Sequence, residues 1–431
     1  MEGTKAERIV IINDRSAMVG GASNLACLLA RKLEQSGIDT TFFAGDGPSP
    51  DAPIGDMVYV RDNPLMDKST SRAFTQGLYN RKAYLCMRRT IEKYDTPSTI
   101  YHVHGWSKIL SPSIFQTLNR VRQRTILHAH DYFLACPNGG FANFQKTTTC
   151  ALKPMSAKCL ATQCDKRGPT QKVWRTSRHM LRENLFPIKT QPANLLLIHE
   201  GMRTYFDRAG IAASYIRTIR NPADAILPNG TEPWLNKDFF FIGRLEPEKG
   251  VEDAAEASRQ AGVRLHVIGD GALRSKLQTT FPNVILHGWK NKEEMRPLLK
   301  HARAVVISSR IPEPFGLVAI EAIASGIPII ISDAALLAPE IVNSGCGLAF
   351  SSGSIASLCE MLTSMRKSDQ LIQSMNHNCQ IHGNTLAQTT ESWVDAIKGV
   401  YSEVLIHANG HAPLEQVRIK KSFLMTKRAA K

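Results

Sequence analysis

Two glutamates separated by seven residues, Glu313 and Glu321, stand out as candidates for chemistry. Glu321 falls on a predicted helix face that is otherwise nearly apolar, where an unpaired carboxylate would be costly. Glu313 precedes the helix N-terminus, where free N–H groups and the positive end of the helix dipole gather. One interpretation is that both carboxylates face one cleft and bind the hydroxyl groups of a sugar and a ribose. The alternative is that Glu313 helps to cap the helix and Glu321 pairs with a nearby lysine.

The segment that carries these glutamates, residues 304–333, has the pattern of a strand, a helix and a second strand. The apolar runs Ala304–Ile307 and Ile327–Ile331 are typical of buried parallel strands. A short polar loop follows the first run, and the helix is predicted to begin near Phe315 or Gly316. Because ligands of open α/β sheets bind beyond the carboxyl ends of strands, this loop is a candidate ligand site.

A second charged loop, GRLEPEKG, follows a predicted strand over residues 239–243. It places Arg244 and Lys249 between that strand and the next helix. Two cations at a helix N-terminus form an anion site. The alternative is a solvated loop whose cations are balanced by Glu246 and Glu248.

The N-terminal half begins with a strand, Arg8–Asp14, a glycine-containing loop, and an amphipathic helix, Ala22–Gln35. The adjacent Gly20 and Gly21 lack the three-glycine spacing of a dinucleotide fingerprint. They suit close approach of a phosphate or sugar to backbone N–H groups, or simply a tight turn.

Two further predicted strands end in histidine pairs, His102 with His104 and His128 with His130. Residues two apart on a strand point to the same side, so His104 and His130 should lie on the same side as their partners but nearer the cleft. The usual interpretation of one strand-end histidine is a hydrogen-bonded structural residue.

Four of the nine cysteines, Cys136, Cys150, Cys159 and Cys164, fall in the loop after the second histidine pair. Their spacing is not that of a doubled C-x-x-C zinc site. A structural metal, a local redox pair and reduced thiols that pack a long loop all stay open. A disulfide framework is not expected, because the N-terminus has no secretory signal pattern.

The segment EPFGLVAIEAIASGIPII resembles the signature of retaining glycosyltransferases of family four (glycosyl transferases group 1), which have the GT-B fold. GRLEPEKG matches that family as well, and bacterial exopolysaccharide and lipopolysaccharide glycosyltransferases are similar. The resemblance implies that Arg244 and Lys249 hold the donor diphosphate, that Glu313 holds sugar hydroxyls, and that Glu321 holds the ribose. It implies that His130 orients the donor sugar, and that His104 and Trp106 face the acceptor. Catalytic residues would be Glu313, His130, Arg244 and Lys249, and donor-binding residues would also include Gly21, Phe315, Gly316, Leu317 and Glu321.

The expected architecture is therefore α/β, with two Rossmann-like domains that face a central cleft. Residues 1–222 are predicted to bind the acceptor and residues 223–385 the nucleotide sugar, with a C-terminal helical segment, 386–431, that packs back on the first domain. The expected reaction is retaining transfer of a sugar, such as a hexose, from a UDP- or GDP-sugar to a glycan or lipid-linked acceptor, in surface or exopolysaccharide biosynthesis. No cofactor and no metal are expected.

Composition limits the other function classes. The 431 residues carry a formal charge of +15, concentrated in residues 61–93, 146–189 and the C-terminal tail. Such an excess suits an anionic membrane, anionic substrates or nucleic acid, but a nucleic-acid motif is missing, so no nucleic-acid partner is expected. A nucleotide-sugar epimerase of the same fold is the other alternative. With no apolar run of 18 residues, we expect a cytoplasmic protein that attaches peripherally to the inner face of the membrane.

Overall fold

Two parallel β-sheets frame the protein in the computed structural model, which describes residues 6–53, 55–211, 216–386 and 388–410. The strands of the first half are β1 (Arg8–Asn13), β2 (Asp39–Ala44), β3 (Asp56–Tyr59), β4 (Thr99–Val103), β5 (Thr125–Ala129), β6 (Ala142–Asn143), β7 (Thr148–Thr149), β8 (Asn194–Leu197) and β9 (Ile216–Thr218). Those of the second half are β10 (Asp238–Ile242), β11 (Leu265–Ile268), β12 (Val284–Gly288), β13 (Ala302–Ile307), β14 (Ile329–Ser332) and β15 (Gly347–Phe350).

Helices connect the strands of both sheets. In the first half they are α1 (Gly21–Gln35), α2 (Thr70–Leu78), α3 (Arg81–Tyr94), α4 (Ser113–Leu118), α5 (Ala157–Ala161), α6 (Pro169–Leu185) and α7 (Met202–Arg208). In the second half they are α8 (Val251–Ala261), α9 (Arg274–Thr280), α10 (Lys292–Leu299), α11 (Leu317–Ala324), α12 (Ala338–Asn343), α13 (Ile355–Lys367), α14 (Asp369–Leu386) and α15 (Thr390–Ala408).

The strand orders place the chemistry-bearing loops at one edge of each sheet. The first sheet runs β3-β2-β1-β4-β5-β8-β9 and the second β12-β11-β10-β13-β14-β15, with every pairing parallel. In each sheet the order reverses beside the first strand, β1 or β10. The loops after β1 and β4, and after β10 and β13, therefore flank the point at which ligands bind in such sheets.

Burial of both faces explains why these strands are continuous apolar runs. All six residues of β13, from Ala302 to Ile307, are buried. Arg303 is the charged exception in this strand: its guanidinium is fully buried, donates to the carbonyls of Met365 and Asn236, and pairs with Asp369 at 2.6 Å. A buried cation is tolerable when its donors are satisfied in this way.

The last helix, α15, returns from the second half to the first. Its apolar face, from Trp393 to Leu405, is buried in one cluster with residues of α1 and β1. Lys32 pairs with Glu391 at 3.2 Å, Arg217 with Glu403 at 2.8 Å, and the Tyr401 hydroxyl contacts His102 Nδ1 at 2.7 Å. These contacts agree with the expected return of the C-terminal segment, whereas its residues 411–431 lie outside the described residues. The domain limits at residues 222 and 385 stay a prediction.

The chain passes between the halves at two places that touch each other. Pro222 and Gln388 form a parallel bridge, and the Ala223 N–H donates to the Gln388 carbonyl at 3.3 Å. Close by, Glu340 of α12 accepts from Arg220 at 2.6 Å and contacts His199 Nε2 at 3.0 Å. Burial opposes ionisation of Glu340, but His199 and Arg220 outweigh it and lower the pKa of the carboxyl to about 2.

The structure differs from the predicted elements in two places in the first half. Residues 72–94 have a basic, helix-like composition that predicts one long helix. This prediction is wrong: α2 and α3 are separate, because Tyr79 is extended and the Asn80 side chain caps α3 by accepting from the Ala83 N–H. Residues 46–71, in which four prolines predict irregular structure, contain the edge strand β3. None of the helices in the described ranges is long and apolar enough to span a bilayer.

Gly250, which precedes α8, allows a test of whether the loop before that helix requires a glycine. Its φ is +66°, and a Cβ there would lie 2.0 Å from the Ser308 carbonyl oxygen. Gly250→Ala should therefore lower the free energy of unfolding by more than about 2 kcal/mol, the upper cost of the backbone conformation alone. Gly399→Ala, inside α15 with no atom within 4 Å of the added Cβ, is the control. It should leave stability unchanged or raise it by up to about 1 kcal/mol. Equal urea midpoints for both variants would contradict this account.

Candidate active site

The loops that follow the central strands of both sheets meet in a cleft. Gly21, the first residue of α1, lies against α11 of the other half: a Cβ at Gly21 would be 3.4 Å from the Leu317 side chain. Gly20 has φ +81°, and it precedes the helix with no side-chain cap. The N-termini of α1 and α11 therefore both end at this cleft, with free N–H groups of the kind that bind anions.

An ion pair between Lys249 and Glu313 lies at the centre of the second half's contribution. Lys249 Nζ is 2.8 Å from Glu313 Oε1, and the Ser309 hydroxyl donates to the other carboxylate oxygen. Both side chains are mostly buried, with 26% and 18% of their surface exposed. Lys249 comes from the loop after β10, and Glu313 and Ser309 come from the loop after β13. The two loops suggested separately by the sequence therefore form one site.

The surroundings keep Glu313 ionised. Burial alone would favour the neutral carboxyl, but Lys249, the Ser309 hydroxyl and Arg244 outweigh it and lower its pKa. Arg244 itself has 69% of its side chain exposed and lies 4.0 Å from Glu248 Oε1. It is thus a cation that reaches into solvent beside a buried ion pair, which leaves its guanidinium accessible to an anion.

Backbone contacts fix the loop that carries the two cations. Ser308 Oγ donates to the Lys249 carbonyl at 3.0 Å, and Gly250 takes the left-handed conformation at its end. Arg310, three residues before Glu313, forms a two-pronged pair with Asp253 of α8. Because each loop binds the other, the separation of Lys249 and Glu313 is set before any ligand arrives.

The segment from Phe315 to Leu317 forms the turn into α11. Gly316 has φ +69°, a conformation that favours glycine, and it precedes Leu317 at the first helical position. The predicted start near Phe315 or Gly316 is thus correct to within two residues. Phe315 is 3% exposed and its ring lies 6.3 Å from that of His199, so it supports the turn from the core side.

Glu321 has a lysine partner, as one of the two interpretations expected. Lys292 Nζ lies 2.6 Å from Glu321 Oε1, and the glutamate side chain is 13% exposed. Burial raises its pKa despite the lysine. Pairing does not exclude a ligand, because a carboxylate has acceptor sites for both a lysine and a hydroxyl group.

The four strand-end histidines form one stack. His102 Nε2 lies 3.2 Å from His128 Nδ1, and His104 Nδ1 lies 2.9 Å from His130 Nε2. His104 and His128 are buried, whereas His130 is partly exposed and lines a small cavity. The predicted arrangement, with His104 and His130 towards the cleft, agrees with this only in part, because His104 is 5% exposed.

Trp106, predicted to face an acceptor, is 8% exposed. Its ring packs edge-on against Phe115, and the Arg178 guanidinium lies 5.1 Å from its centre. It also lines the cavity beside His104, so any acceptor contact would pass through that cavity. Asp131, which follows His130 and is exposed, lines the same cavity.

The cysteine loop is packed around a lysine. Lys172 Nζ of α6 donates to Cys164 Sγ at 3.1 Å and lies 3.8 Å from Cys159 Sγ, while Asn138 contacts Cys136 and Cys164. All nine cysteines lie in the described part of the chain, and none forms a disulfide. Among the described residues the four loop cysteines do not form a group with metal-binding spacing. The ammonium group among the thiols disfavours a bound cation there.

One residue of this loop, Lys166, contacts the other half of the protein, and no sequence pattern predicts this contact. Lys166 pairs with the Glu246 carboxylate, and its Nζ lies 3.1 Å from Glu248 Oε2. Glu246 and Glu248, which one interpretation of the sequence paired with Arg244 and Lys249, are therefore bound largely by Lys166. That separation spans 82 residues, so no local spacing rule could have found it.

Relatives of known description match parts of the chain. Residues 230–381 match the family model for glycosyl transferases group 1. The chain is 26% identical over 264 residues to a glycogen synthase of Mycobacterium tuberculosis, covering 56% of this chain and 59% of that protein. It is 36% identical over 94 residues to a GDP-mannose-dependent alpha-mannosyltransferase of the same species, covering 22% of this chain and 25% of the relative. The chain thus spans less than two thirds of the curated relatives it matches.

Residues 230–381 resemble a glycosyl transferases group 1 domain, and this match covers less than half of the chain. Solved structures of similar fold cover nearly the whole chain. Sucrose-phosphate synthase from Thermosynechococcus elongatus aligns over 93% of this chain and 100% of its own, with a TM-score of 0.70 and 17% identity. WaaG, a glycosyltransferase involved in lipopolysaccharide biosynthesis, aligns over 91% and 100%, with a TM-score of 0.64 and 16% identity. The predicted GT-B fold, with its group 1 domain, is confirmed.

Proposed function

We propose that this protein is a retaining glycosyltransferase that moves a sugar from a nucleotide-diphosphate sugar to a glycan or lipid-linked acceptor. The observation that carries the proposal is the Lys249–Glu313 pair at 2.8 Å, beside an exposed Arg244 and the N-terminus of α11. The group 1 domain and the glycosyltransferases among the relatives support the same reaction class.

The cations suit a diphosphate whose charge grows as the sugar leaves. Arg244 presents a guanidinium, which forks across two phosphate oxygens, and Lys249 adds a second cation from the same loop. The N–H groups at Gly316 and Leu317 add the positive end of a helix dipole. Because these donors are held in place before the reaction, they stabilise the developing charge without reorganisation.

The acids and the histidine suit the sugar. Glu313 is ionised and accepts hydrogen bonds from sugar hydroxyls, while its pair with Lys249 links the sugar site to the phosphate site. His130 lies across the cleft at the end of β5, with Nε2 held by His104 at 2.9 Å, so that its other ring nitrogen is oriented towards the donor sugar. A leaving phosphate oxygen on the same face takes the proton of the acceptor hydroxyl, which is consistent with retention.

Two findings bear on the nucleotide. Structures of Anabaena Alr3699/HepE, with UDP and with UDP-glucose, share the fold with TM-scores of 0.63 and 0.62, and a GDP-mannose-dependent relative matches 94 residues of this chain. UDP- and GDP-sugars are therefore the donors to test first, in a thermal-shift screen, since a ligand that binds only the folded state raises the melting temperature. Stabilisation by neither class would count against the donor assignment.

The phosphate assignment predicts the kinetics of two substitutions. Lys249→Ala should lower kcat by about a hundredfold to a thousandfold, because it removes a donor to charge that develops in the transition state. Arg244→Lys should keep only part of the parent kcat, because an ammonium group cannot form two parallel hydrogen bonds to two phosphate oxygens as a guanidinium does. Both are measured as kcat and KM with the donor found in the screen.

Lys276→Ala is the matched control, because Lys276 also pairs with a glutamate, Glu252, at 2.5 Å, but lies on the surface with 59% of its side chain exposed. Surface pairs contribute about 0–1 kcal/mol, so its kcat should match the parent. A Lys249→Ala enzyme that melts like the parent and keeps its kcat would overturn the proposed site.

The ribose assignment predicts a difference between Glu321 and its partner. Glu321→Ala should raise the Kd of the free nucleotide while leaving kcat at saturation nearly unchanged, because ribose contacts are similar in the ground and transition states. Lys292→Ala removes only the partner and should affect binding less. Equal nucleotide affinities in both variants, measured by calorimetry, would leave Glu321 as a structural partner of Lys292.

We propose an anionic membrane as the location of a lipid-linked acceptor. The basic segments differ in how much of their charge is exposed to solvent. Within the basic region 146–189, Lys172, Arg178 and Arg182 are 5%, 7% and 0% exposed, so these three cations are not accessible to a lipid surface. The α2–α3 region keeps exposed cations next to exposed apolar side chains. They are Arg72, Arg81, Lys82 and Arg89, with Met66 and Phe74. The basic tail lies outside the described residues.

Charge reversal on this surface tests membrane attachment. Replacing Arg72, Arg81, Lys82 and Arg89 with glutamate should abolish co-sedimentation with vesicles that contain anionic lipid, since each cation near such a surface contributes about 1 kcal/mol. Salt should release the parent protein from the same vesicles. Reversal of Lys276 and Arg259, exposed on the second half, is the control. Equal binding of the parent to neutral vesicles would contradict the electrostatic account.

A further inference from the structure

The histidine stack beneath the cleft contains more ring nitrogens than its hydrogen bonds use. The rings of His102, His104, His128 and His130 lie with neighbouring centres 4.2–5.2 Å apart. Two pairs share one hydrogen bond each, and Tyr401 of α15 holds the outer nitrogen of His102 at 2.7 Å. A glycosyltransferase site requires one oriented histidine here, and three more remain to be explained.

Two of the buried imidazole nitrogens have no hydrogen-bond partner among the described residues. They are Nε2 of His104 and Nε2 of His128. The side chains that carry them are 5% and 3% exposed, and buried polar atoms are normally satisfied. In each ring the other nitrogen, Nδ1, already contacts a second histidine. That arrangement, with one nitrogen free and the other held, is the arrangement of a metal-binding histidine.

His104 and His128, which carry the unpartnered nitrogens, line a small cavity. Its volume is about 30 Å³, enough for one water-sized group, and His104, His128, His130 and Asp131 are among its lining residues. Neutral imidazole is the form that binds metals, and a cavity of this kind beside three stacked histidines leaves room for one ion.

We propose that His104 and His128, with His102 as the third ligand, bind a divalent transition metal ion of the zinc, copper or nickel class. One ring nitrogen from each of the three lies within 4.8 Å of the other two. Ligands of a tetrahedral zinc ion at 2.0–2.1 Å lie about 3.3 Å apart, so small ring rotations close the site. His102 exchanges its contact with His128 for the ion and keeps Tyr401, whose hydroxyl orients the ring from the far side.

The ligand set favours this class of metal. Three imidazoles without a thiolate suit zinc, copper and nickel and are poor ligands for magnesium and calcium, which prefer oxygen. The fourth position opens to the cavity, where water or Asp131 completes the coordination. The site lies behind His130 and binds through side chains that do not include Arg244, Lys249 or Glu313. Zinc retention is therefore measured without a donor, because His104 also holds His130, which the proposed function assigns to the donor sugar.

The test uses the whole chain and the metal alone. Protein stripped with a chelator, incubated with zinc chloride and passed through a desalting column should retain about one zinc ion per chain by elemental analysis. Cobalt chloride in place of zinc should give the visible bands of a tetrahedral ion without a thiolate charge-transfer band. Wild-type protein that retains no metal would overturn the proposal without any variant, and would leave a buried water as the occupant of the cavity.

Substitutions separate this site from other metal ligands. His104→Asn and His128→Asn keep a polar group near the position of Nδ1 and remove Nε2, so each should abolish retention. Tyr401→Phe should weaken zinc binding by about 10-fold or more, the usual effect of losing an orienting group. The control is the double variant His266→Asn with His287→Asn, which alters a stacked histidine pair in the second half whose Nδ1 and Nε2 atoms lie 2.9 Å apart. This variant should retain zinc like the parent.

The cysteine loop needs its own control. Cys136→Ser, Cys159→Ser and Cys164→Ser, combined, should leave the retained zinc and the cobalt spectrum unchanged. Loss of metal in the cysteine variant with retention in His104→Asn and His128→Asn would overturn the proposal and place the ion among the thiols. If the histidine variants do not fold, Tyr401→Phe serves as the second test, and an unchanged zinc affinity in that variant would count against the site.

Discussion

Parallel pairing is the constraint on which the whole arrangement depends. When all strands of a sheet run in one direction, every strand ends at the same edge, so the loops that carry polar side chains gather there. In this chain the constraint applies twice. It brings Gly21, His130 and Asp131 to one edge, and Arg244, Lys249 and Glu313 to another. The short contact between Gly21 and Leu317 joins the two edges. The position of the site follows from the strand order, and the side chains in its loops determine its chemistry.

Most charged side chains around the cleft and the crossings are paired with an opposite charge. Glu313 is matched by Lys249, Glu248 by Lys166, Glu340 by Arg220, and Asp253 by Arg310. Arg244 is less tightly bound than these, at 4.0 Å from its acid and with most of its side chain in solvent. A preorganised site leaves few charges unpaired because each is costly to bury. The exposed arginine is thus the group that a ligand anion meets first.

Much of this could be predicted from local patterns, because the relevant physics is local. The apolar runs around Glu313 predict buried strands, and the glycine before Leu317 predicts a helix start. The pairing of Lys249 with Glu313 follows once strand order is known. What could not be predicted depends on contacts between distant residues. Lys166 meets Glu248 across 82 positions, and Tyr401 meets His102 across 299. The break between α2 and α3 was missed because basic helix-like composition hides one capping asparagine, Asn80.

The paired crossings at Pro222 and Gln388 have a mechanical consequence. A single linker would let the two halves rotate and translate relative to each other. Two crossing segments that are bonded side by side restrict the motion to bending about the line through the crossings. Bending about the line through the crossings changes few contacts, but sliding along it would break the bridge and the backbone hydrogen bond beside it. The salt bridges of Lys166 with Glu246 and Glu248 join the two halves at residues other than the crossings. A bend that opens the cleft would therefore have to stretch or break these pairs.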